Sequence, residues 1–352
     1  MRLFFIIKYL YILMLIEQIT FLVTFIYWII AYTYLILTPS ILVSNDYLIK
    51  LVKKLSQTLT VFSLIYGFKS EFYLTNTQQN IKELMNQNTN LVDIVVCNHI
   101  TTIDFLIVIV YLKYFGITSY NFILNYKVKH IIGFGLIMYA NPDIKVFRNW
   151  ELDQNNMQKE INKFNKNVSS KKQVIIIFPE GTRFTHDKFI EAQNFSKSKG
   201  IPIYDHLLVP KARGLWFLIN SFKKANKLGR VWDITLTIPS ILGKSAYVSD
   251  LINKPLGPVY ATVKELKLDF DYQNLETFKI WLFKNWKIKD EFMQYYKKFV
   301  YKKLYFDNTK YKHLAIILSI CLLFSLFLSN KYGRYYLLTS FILSYILIIF
   351  NL

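Results

Sequence analysis

The chain contains few cysteines and few glycines, and each shortage excludes a class of site. Its 2 cysteines among 352 residues, Cys97 and Cys321, are too few for a disulfide framework and lack the spacing of a metal site. With 11 glycines, the chain has no Gly-x-Ser-x-Gly, Walker A or dinucleotide-binding glycine pattern. No His, Cys or carboxylate cluster has the spacing of metal ligands, so we predict no metal and no bound cofactor.

Acidic residues are also scarce. The 43 Lys and Arg against 23 Asp and Glu give a net charge of +20, which suits nucleic acid, anionic lipid or phosphorylated substrates as partners. Charges of either sign are nearly missing from residues 3–37 and 314–352. Because such long apolar stretches are membrane material, we expect membrane lipid as a partner and do not expect nucleic acid.

The apolar ends predict membrane anchors. Residues 19–37 carry no charge over 19 positions, which is enough to cross a hydrocarbon core of roughly 30 Å as a helix. A signal peptide is disfavoured because the stretch is long, rich in aromatics and followed by no small-residue cleavage site. A second run at 3–16 leaves open a helical hairpin or one long, partly interfacial helix. Residues 314–328 and 335–352 predict a two-helix hairpin.

Lysines next to these anchors predict the orientation of the chain. Lysines at 50, 53 and 54 follow the first anchor and others at 302, 303, 310 and 312 precede the last one, which places the central domain on the cytoplasmic side. Lys331 and Arg334 in the hairpin loop oppose that orientation. We expect a multi-pass protein of an endoplasmic-reticulum-type membrane, with an anchor at 1–40, a central domain at 45–310 and a hairpin at 311–352.

The central domain alternates predicted strands and helices, which indicates an α/β fold. Short apolar runs at 91–97, 174–178 and 207–209 predict buried strands. Residues 232–238 alternate strictly, which predicts a strand with one less buried face, and apolar residues at helical spacing predict a helix over 154–168. Two polar segments directly follow the first two strands, and in open α/β sheets ligand sites gather at that edge.

The first polar segment, Asn-His-Ile-Thr-Thr-Ile-Asp at 98–104, contains a candidate general base. His99 and Asp104 are five positions apart, so on one helix they would lie roughly 140° apart. They meet only if His99 lies in a turn and Asp104 in the first turn of a helix starting near residue 102, with Asn98, Thr101 or Thr102 as its cap. A carboxylate on one ring nitrogen makes the other a proton acceptor. The alternative is a hydrogen bond that merely holds the turn.

No enzymic nucleophile accompanies this pair. Cys97 ends a buried strand, where a thiol is normally an inert part of the core. A hydroxyl of the substrate would therefore supply the nucleophile and attack an activated acyl group directly, with His99 taking its proton.

The second polar segment, Phe-Pro-Glu-Gly-Thr-Arg at 178–183, has the equipment to hold an anion. Gly181 permits a tight turn, and Arg183 offers a forked donor for phosphate. By itself such a segment is more often an ordinary exposed turn.

The two segments together resemble the glycerolipid acyltransferases of the 1-acylglycerol-3-phosphate acyltransferase type. Four blocks of that family occur in order: His99 with Asp104, Val-Phe-Arg at 146–148, Glu-Gly-Thr-Arg at 180–183, and Val-Pro-Lys-Ala-Arg-Gly at 209–214. Asn-Trp-Glu-Leu-Asp at 149–153 is similar to the subgroup of lysocardiolipin acyltransferases. The fourth block departs from the subgroup's Pro-Arg-Thr, since Lys211 keeps the charge without the fork.

The resemblance implies a central mixed sheet flanked by helices, and transfer of an acyl group from acyl-CoA to a lysophospholipid such as 1-acylglycerol 3-phosphate. It implies His99 oriented by Asp104 as the base, and a substrate-binding set of Arg148, Glu180, Gly181, Thr182, Arg183 and Lys211. Glu180 orients Arg183, binds glycerol or is structural, and Thr182 holds the turn. Other acceptors such as lysophosphatidylinositol or lysocardiolipin, a phospholipid acyl donor, and a non-catalytic basic lipid-binding protein remain alternatives.

Overall fold

The computed structural model describes residues 69–75, 81–87, 90–130, 143–166, 173–246 and 255–306, and five single residues between 57 and 65. The chain divides into two compact units, and the larger one, Phe68–Asn125 with Asp143–Leu304, contains both polar segments. In the smaller unit the described residues include a 3-10 helix at Tyr126–His130. The predicted anchors and Cys321 lie outside the described residues. Within those residues, no helix combines the length and the apolar character that a membrane span needs.

One β-sheet forms the centre of the larger unit. Its described strands are β1 (Glu71–Thr75), β2 (Val92–Cys97), β3 (Tyr120–Asn125), β4 (Ile144–Val146), β5 (Gln173–Ile177), β6 (Leu228–Thr237), β7 (Pro258–Glu265) and β8 (Tyr301–Lys303). Their order across the sheet is β4-β3-β5-β2-β6-β7-β1-β8. The β6–β7 and β1–β8 pairs are antiparallel and the other neighbours are parallel. This confirms the α/β fold with a mixed sheet.

Strand β2 lies at the centre of the core. All six of its residues are buried, as expected for a strand covered on both faces. It pairs in parallel with β5 and β6, and Val96 is in register with Ile177 of β5 and with Asp233 of β6. Because parallel strands end at the same edge, β2 and β5 deliver both polar segments side by side, as predicted.

Helices connect the strands and flank the sheet. The described α-helices are α1 (Ile81–Asn86), α2 (Asp104–Tyr114), α3 (Trp150–Lys166), α4 (His186–Lys199), α5 (Ala212–Lys224) and α6 (Leu275–Tyr295). Helix α5 packs against α3, α6 and β6, and the rings of Trp150 and Phe217 meet edge to face across the α3–α5 contact at 6.0 Å. The helix predicted over 154–168 is confirmed as α3, which begins four residues earlier than expected.

Two helices that border the site have well-formed ends. The Thr185 hydroxyl caps α4 by accepting from the Lys188 N–H at 3.3 Å, and Gly200 ends that helix with a φ of 63°. The Asn274 side chain caps α6 by accepting from the N–H groups of Glu276 and Thr277. Such caps satisfy the N–H and C=O groups that a helix end leaves unpaired.

The strand predicted at 207–209 is wrong, because these residues form part of a loop. Side chains of α6, rather than a neighbouring strand, bind the backbone of this loop. The Asp290 carboxylate accepts from the N–H groups of Asp205 and His206, each at 2.8 Å. Trp286 Nε1 donates to the Leu208 carbonyl at 3.0 Å. With its backbone satisfied in this way, an apolar run is buried without joining the sheet.

Candidate active site

His99 and Asp104 form a side-chain pair at the end of β2. His99 Nδ1 lies 2.9 Å from Asp104 Oδ2; the histidine side chain is 25% exposed and the aspartate is fully buried. His99 follows the strand in a turn, and Asp104 is the first residue of α2. The predicted arrangement of turn and helix is therefore what brings the pair together. With Nδ1–H directed at the carboxylate, Nε2 is left as the proton acceptor.

Asp104 also organises the turn that carries His99. Its Oδ2 accepts from the N–H groups of Ile100 and Thr101, and its Oδ1 accepts from the Thr101 hydroxyl at 3.0 Å. The Thr101 hydroxyl in turn accepts from the Ile103 N–H at 2.9 Å. These hydrogen bonds fix the position of the Asp104 carboxylate and compensate for its removal from water. The carboxylate in turn fixes the orientation of the His99 imidazole before a substrate binds.

The predicted capping role of Asn98 is wrong. Helix α2 begins at Asp104 with Ile103 in the N-cap position and no side-chain cap. The buried Asn98 amide donates instead to the Leu236 carbonyl at 3.0 Å and accepts from the Leu236 N–H at 2.8 Å. This pair of bonds continues the β2–β6 pairing by one residue beyond the strand. It therefore anchors the segment directly before His99.

Glu180 joins the two polar segments. Its Oε1 accepts from the His99 N–H at 3.1 Å, and the Phe184 N–H donates to the His99 carbonyl at 2.8 Å. Glu180 is buried, and this burial raises its pKa well above the usual value, although the bond from the His99 N–H opposes the shift. Both backbone groups of His99 are therefore held by the second segment and by Phe184 directly after it, while the His99 ring contacts Phe178 at 4.8 Å between centroids.

Arg148 and Lys211 meet at the glycine turn. Arg148 Nη2 lies 3.4 Å from the Gly181 carbonyl, and the Lys211 N–H donates to the Pro179 carbonyl at 2.8 Å. Gly181 has a φ of 69°, and a Cβ at this position would lie 3.2 Å from Lys211 Nζ. The turn thus needs glycine both for its left-handed backbone and for the close approach of the lysine.

Positive charge accumulates at this turn. Burial lowers the pKa of Lys211, and the nearby cations Arg148 and Lys188 lower it further. Repulsion among neighbouring cations lowers their pKa values, and a bound anion relieves that repulsion. The geometry therefore fits a phosphate or carboxylate ligand near Gly181.

Arg183 occupies a different place from the other two cations. It is partly buried and precedes Phe184, whose N–H holds the His99 carbonyl. Arg148, Glu180, Gly181, Thr182 and Lys211 line an open groove of about 1600 Å³, whereas Arg183, His99 and Asp104 lie outside its lining. Five members of the predicted substrate-binding set thus share one cavity, and the sixth, Arg183, directly precedes the residue that bonds the His99 carbonyl.

A buried ion pair that we did not predict from the sequence lies near the site. Lys289 Nζ lies 2.7 Å from Asp233 Oδ1, and each side chain is 1% exposed. The ammonium also donates to the Ile234 carbonyl at 2.8 Å and approaches the Val96 carbonyl at 3.4 Å. The expected less buried face of β6 is wrong for this reason: Asp233 and Thr235 are buried because Lys289 of α6 is their partner. Alternation of polar residues in an otherwise apolar strand was the only signal.

Cys97 is an inert core thiol, as predicted. It is fully buried, and this burial raises its pKa well above the usual value, so the nucleophilic thiolate is disfavoured. Across the described ranges, no cluster of three or more His, Cys, Asp or Glu side chains is arranged to hold a metal ion.

Residues 72–204 match the family model described as Acyltransferase. Curated relatives include Lysophosphatidylinositol acyltransferase 10 of Caenorhabditis elegans, 27% identical over 204 residues that are 56% of this chain and 51% of that protein. Lysocardiolipin acyltransferase 1 of Gallus gallus is 24% identical over 56% of this chain and 52% of its own length. The 1-acyl-sn-glycerol-3-phosphate acyltransferase delta of Bos taurus is 26% identical over 58% of this chain and 52% of its own length. The chain spans about half the length of the curated relatives it matches.

The fold also has a counterpart among solved structures. The crystal structure of the 1-acyl-sn-glycerophosphate acyltransferase PlsC from Thermotoga maritima matches with a TM-score of 0.51 at 17% identity, covering 81% of this chain and 97% of that one. At this identity the match concerns the fold. Together with the family model and the curated relatives, it confirms the predicted resemblance. Residues 72–204 thus form a domain matched by the acyltransferase family model, and the chain is similar to 1-acyl-sn-glycerol-3-phosphate and lysocardiolipin acyltransferases.

Proposed function

We propose that this chain transfers a fatty acyl group from acyl-CoA to the free hydroxyl of a lysophospholipid, with 1-acyl-sn-glycerol 3-phosphate as acceptor and phosphatidate as product. The observation that carries this proposal is the 2.9 Å contact of His99 Nδ1 with Asp104 Oδ2, on a turn bonded to Glu180 next to the cationic glycine turn. A general base adjoining an anion site is the equipment that acyl transfer to a phosphorylated alcohol needs.

The proposed chemical step uses the imidazole as base and then as acid. His99 Nε2 takes the proton of the acceptor hydroxyl as its oxygen attacks the thioester carbonyl, and Asp104 stabilises the imidazolium. The tetrahedral intermediate collapses by breaking the C–S bond, and the imidazolium returns the proton to the CoA thiolate. The products are the new ester and CoA. General-base assistance of this kind contributes about 10² to 10⁴ in rate.

The acceptor phosphate is proposed to bind to the cations around the second segment. Arg183 directly precedes Phe184, whose N–H donates to the His99 carbonyl, so the two polar segments are joined where this arginine leaves the backbone. Arg148 and Lys211 at the Gly181 turn add further charge. Thr182 lines the same groove. A forked guanidinium binds phosphate through two parallel bonds, which fixes the orientation of the acceptor as well as its affinity.

Lysophosphatidylinositol and lysocardiolipin are the alternative acceptors. The names of the relatives from Caenorhabditis elegans and Gallus gallus favour them, and their phosphates suit the same cations. Purified full-length protein assayed with labelled acyl-CoA and each of the three acceptors separates these possibilities. The acceptor with the highest kcat/KM is the substrate class. Absence of transfer to every acceptor would leave a non-catalytic basic lipid-binding protein as the better description.

Two variants test the roles assigned to the site. His99→Ala is expected to abolish transfer, because it removes the imidazole that takes the proton. Arg183→Lys is expected to raise KM for the phosphorylated acceptor while kcat changes less, since the charge stays and the fork is lost. An unchanged kcat/KM in His99→Ala would contradict the mechanism.

A further inference from the structure

Helices α4 and α6 form two walls of the groove that begins at Gly181. The α4 residues that line it are Lys188, Glu191, Ala192, Phe195 and Lys199. Those of α6 are Glu276, Lys279, Ile280, Phe283, Lys284 and Lys287. Both sets recur every three or four residues, so each helix presents one continuous face over about three turns. At 1.5 Å per residue, Lys188 and Lys199 lie roughly 16 Å apart along α4.

Large apolar side chains are exposed on this groove. Phe195 is 50% exposed, Ile203 is 41% exposed and Ile280 is 70% exposed, and all three line the cavity. Apolar side chains gathered in a concave surface and surrounded by charge mark a ligand groove more often than a solvated face. The ligand therefore needs an apolar part as well as a charged one.

The charge of the groove is strongly positive. Eight of its lining side chains are Lys or Arg and three are Glu. Glu191 pairs with Lys188 and Glu276 pairs with Lys279, each at 2.6 Å. Within the described part of the chain, Lys199 and Lys284 have no acidic partner. Both are exposed, so their charges are available to an anion.

One end of the groove reaches the catalytic turn. Glu180 lines the cavity and its carboxylate accepts from the His99 N–H at 3.1 Å. Lys188, near the start of α4, is close enough to Lys211 to act on its charge. A ligand lying along the groove from Lys188 to Lys199 thus has one end near Glu180, which holds the His99 backbone, and the other end roughly 16 Å farther along α4.

A CoA thioester has this distribution of chemistry, because a long, weakly polar pantetheine arm separates its reactive carbonyl from a diphosphate and a 3′-phosphate. We propose that the groove between α4 and α6 binds acyl-CoA, with Lys199 and Lys284 contacting the phosphate-rich nucleotide end and Phe195, Ile203 and Ile280 covering the arm. This assignment rests on the proposed function for the identity of the acyl donor. It adds a donor site whose distal cations are separate from the acceptor cations at Gly181.

Binding of free CoA to the full-length protein in detergent tests the assignment without turnover. The test variant is Lys199→Glu/Lys284→Glu, and the matched control is Lys159→Glu/Lys197→Glu, which makes the same charge change at exposed lysines outside the lining. Wild type is expected to bind CoA more tightly than 3′-dephospho-CoA. The test variant should bind CoA about tenfold more weakly and lose that preference, while the control behaves as wild type.

Steady-state kinetics provide the second arm of the experiment. The test variant should raise KM for acyl-CoA and leave KM for lysophosphatidate unchanged. Unchanged CoA affinity in a folded test variant overturns the proposal. A rise confined to the KM for the acceptor also overturns it, because the groove would then bind a lipid headgroup. A loss confined to the binding of anionic vesicles overturns it as well, because the groove would then bind a membrane surface. Lysine-dependent CoA binding without transfer to any acceptor would instead refute the proposed function and leave this site in place.

Discussion

Asp104→Asn removes one charge from the site and leaves its shape nearly unchanged. Three donors converge on Asp104 Oδ2: His99 Nδ1 at 2.9 Å, the Thr101 N–H at 2.9 Å and the Ile100 N–H. The asparagine oxygen can take the place of Oδ2, and its amide can donate to the Thr101 hydroxyl. Each retained bond falls from a charge-assisted value of about 1.5–3 kcal/mol to about 0.5–1.5 kcal/mol. We expect a loss of about 1–3 kcal/mol in the free energy of unfolding.

The effect of Asp104→Asn on rate should exceed its effect on stability. Without the carboxylate, the imidazolium that forms as His99 takes the proton has no buried counter-charge. We expect kcat/KM for transfer from labelled acyl-CoA to lysophosphatidate to fall by about 10² to 10⁴, under conditions where denaturation followed by tryptophan fluorescence finds the variant folded.

Thr101→Val is the matched control for this prediction. It removes the hydroxyl that donates to Asp104 Oδ1 and accepts from the Ile103 N–H, and it keeps the charge and the His99 contact. We expect a loss of about 1–2 kcal/mol in stability and a kcat/KM within about tenfold of wild type. Equal rate losses in both variants would show that Asp104 acts only by holding the turn. Near-normal activity in Asp104→Asn would refute the catalytic pair.

Three further changes test other parts of the site. Glu180→Gln keeps an oxygen that accepts from the His99 N–H but removes a carboxyl whose pKa is raised by burial. Ionisation of the Glu180 carboxyl destabilises the wild-type fold as pH rises above about 4.5. Denaturation should therefore find the variant more stable than wild type at pH 8 and not at pH 4. Lys289→Met leaves Asp233 buried without its partner and should cost about 3–5 kcal/mol, with partial recovery when Asp233→Val is added; no recovery would contradict the ion pair as the cause. Gly181→Ala imposes about 1–2 kcal/mol of backbone strain and crowds Lys211, so KM for the phosphorylated acceptor should rise severalfold; an unchanged KM would place the phosphate elsewhere.

The contact between His99 and Asp104 was predictable because its geometry is local. His99 and Asp104 are five positions apart, and a turn leading into a helix brings them together. The position of the two polar segments was predictable as well, because each follows a buried apolar strand and parallel strands end at one edge. The loop at 205–208 was not, since its backbone partners are Asp290 and Trp286 on α6. Apolar composition alone does not distinguish a buried strand from such a loop.

The sequence by itself determined the α/β class, the resemblance to acyltransferases and the side chains available for proton transfer and anion binding. These depend on residue type, short spacing and hydrophobic periodicity, which can be identified without knowledge of long-range contacts. Only the tertiary structure decided that Glu180 holds the His99 backbone, that Lys289 neutralises Asp233, and that α4 and α6 enclose a groove. Those contacts join residues 81, 56 and about 90 positions apart in the sequence. Their partners are selected by how the helices pack on the sheet, and no local pattern encodes that packing.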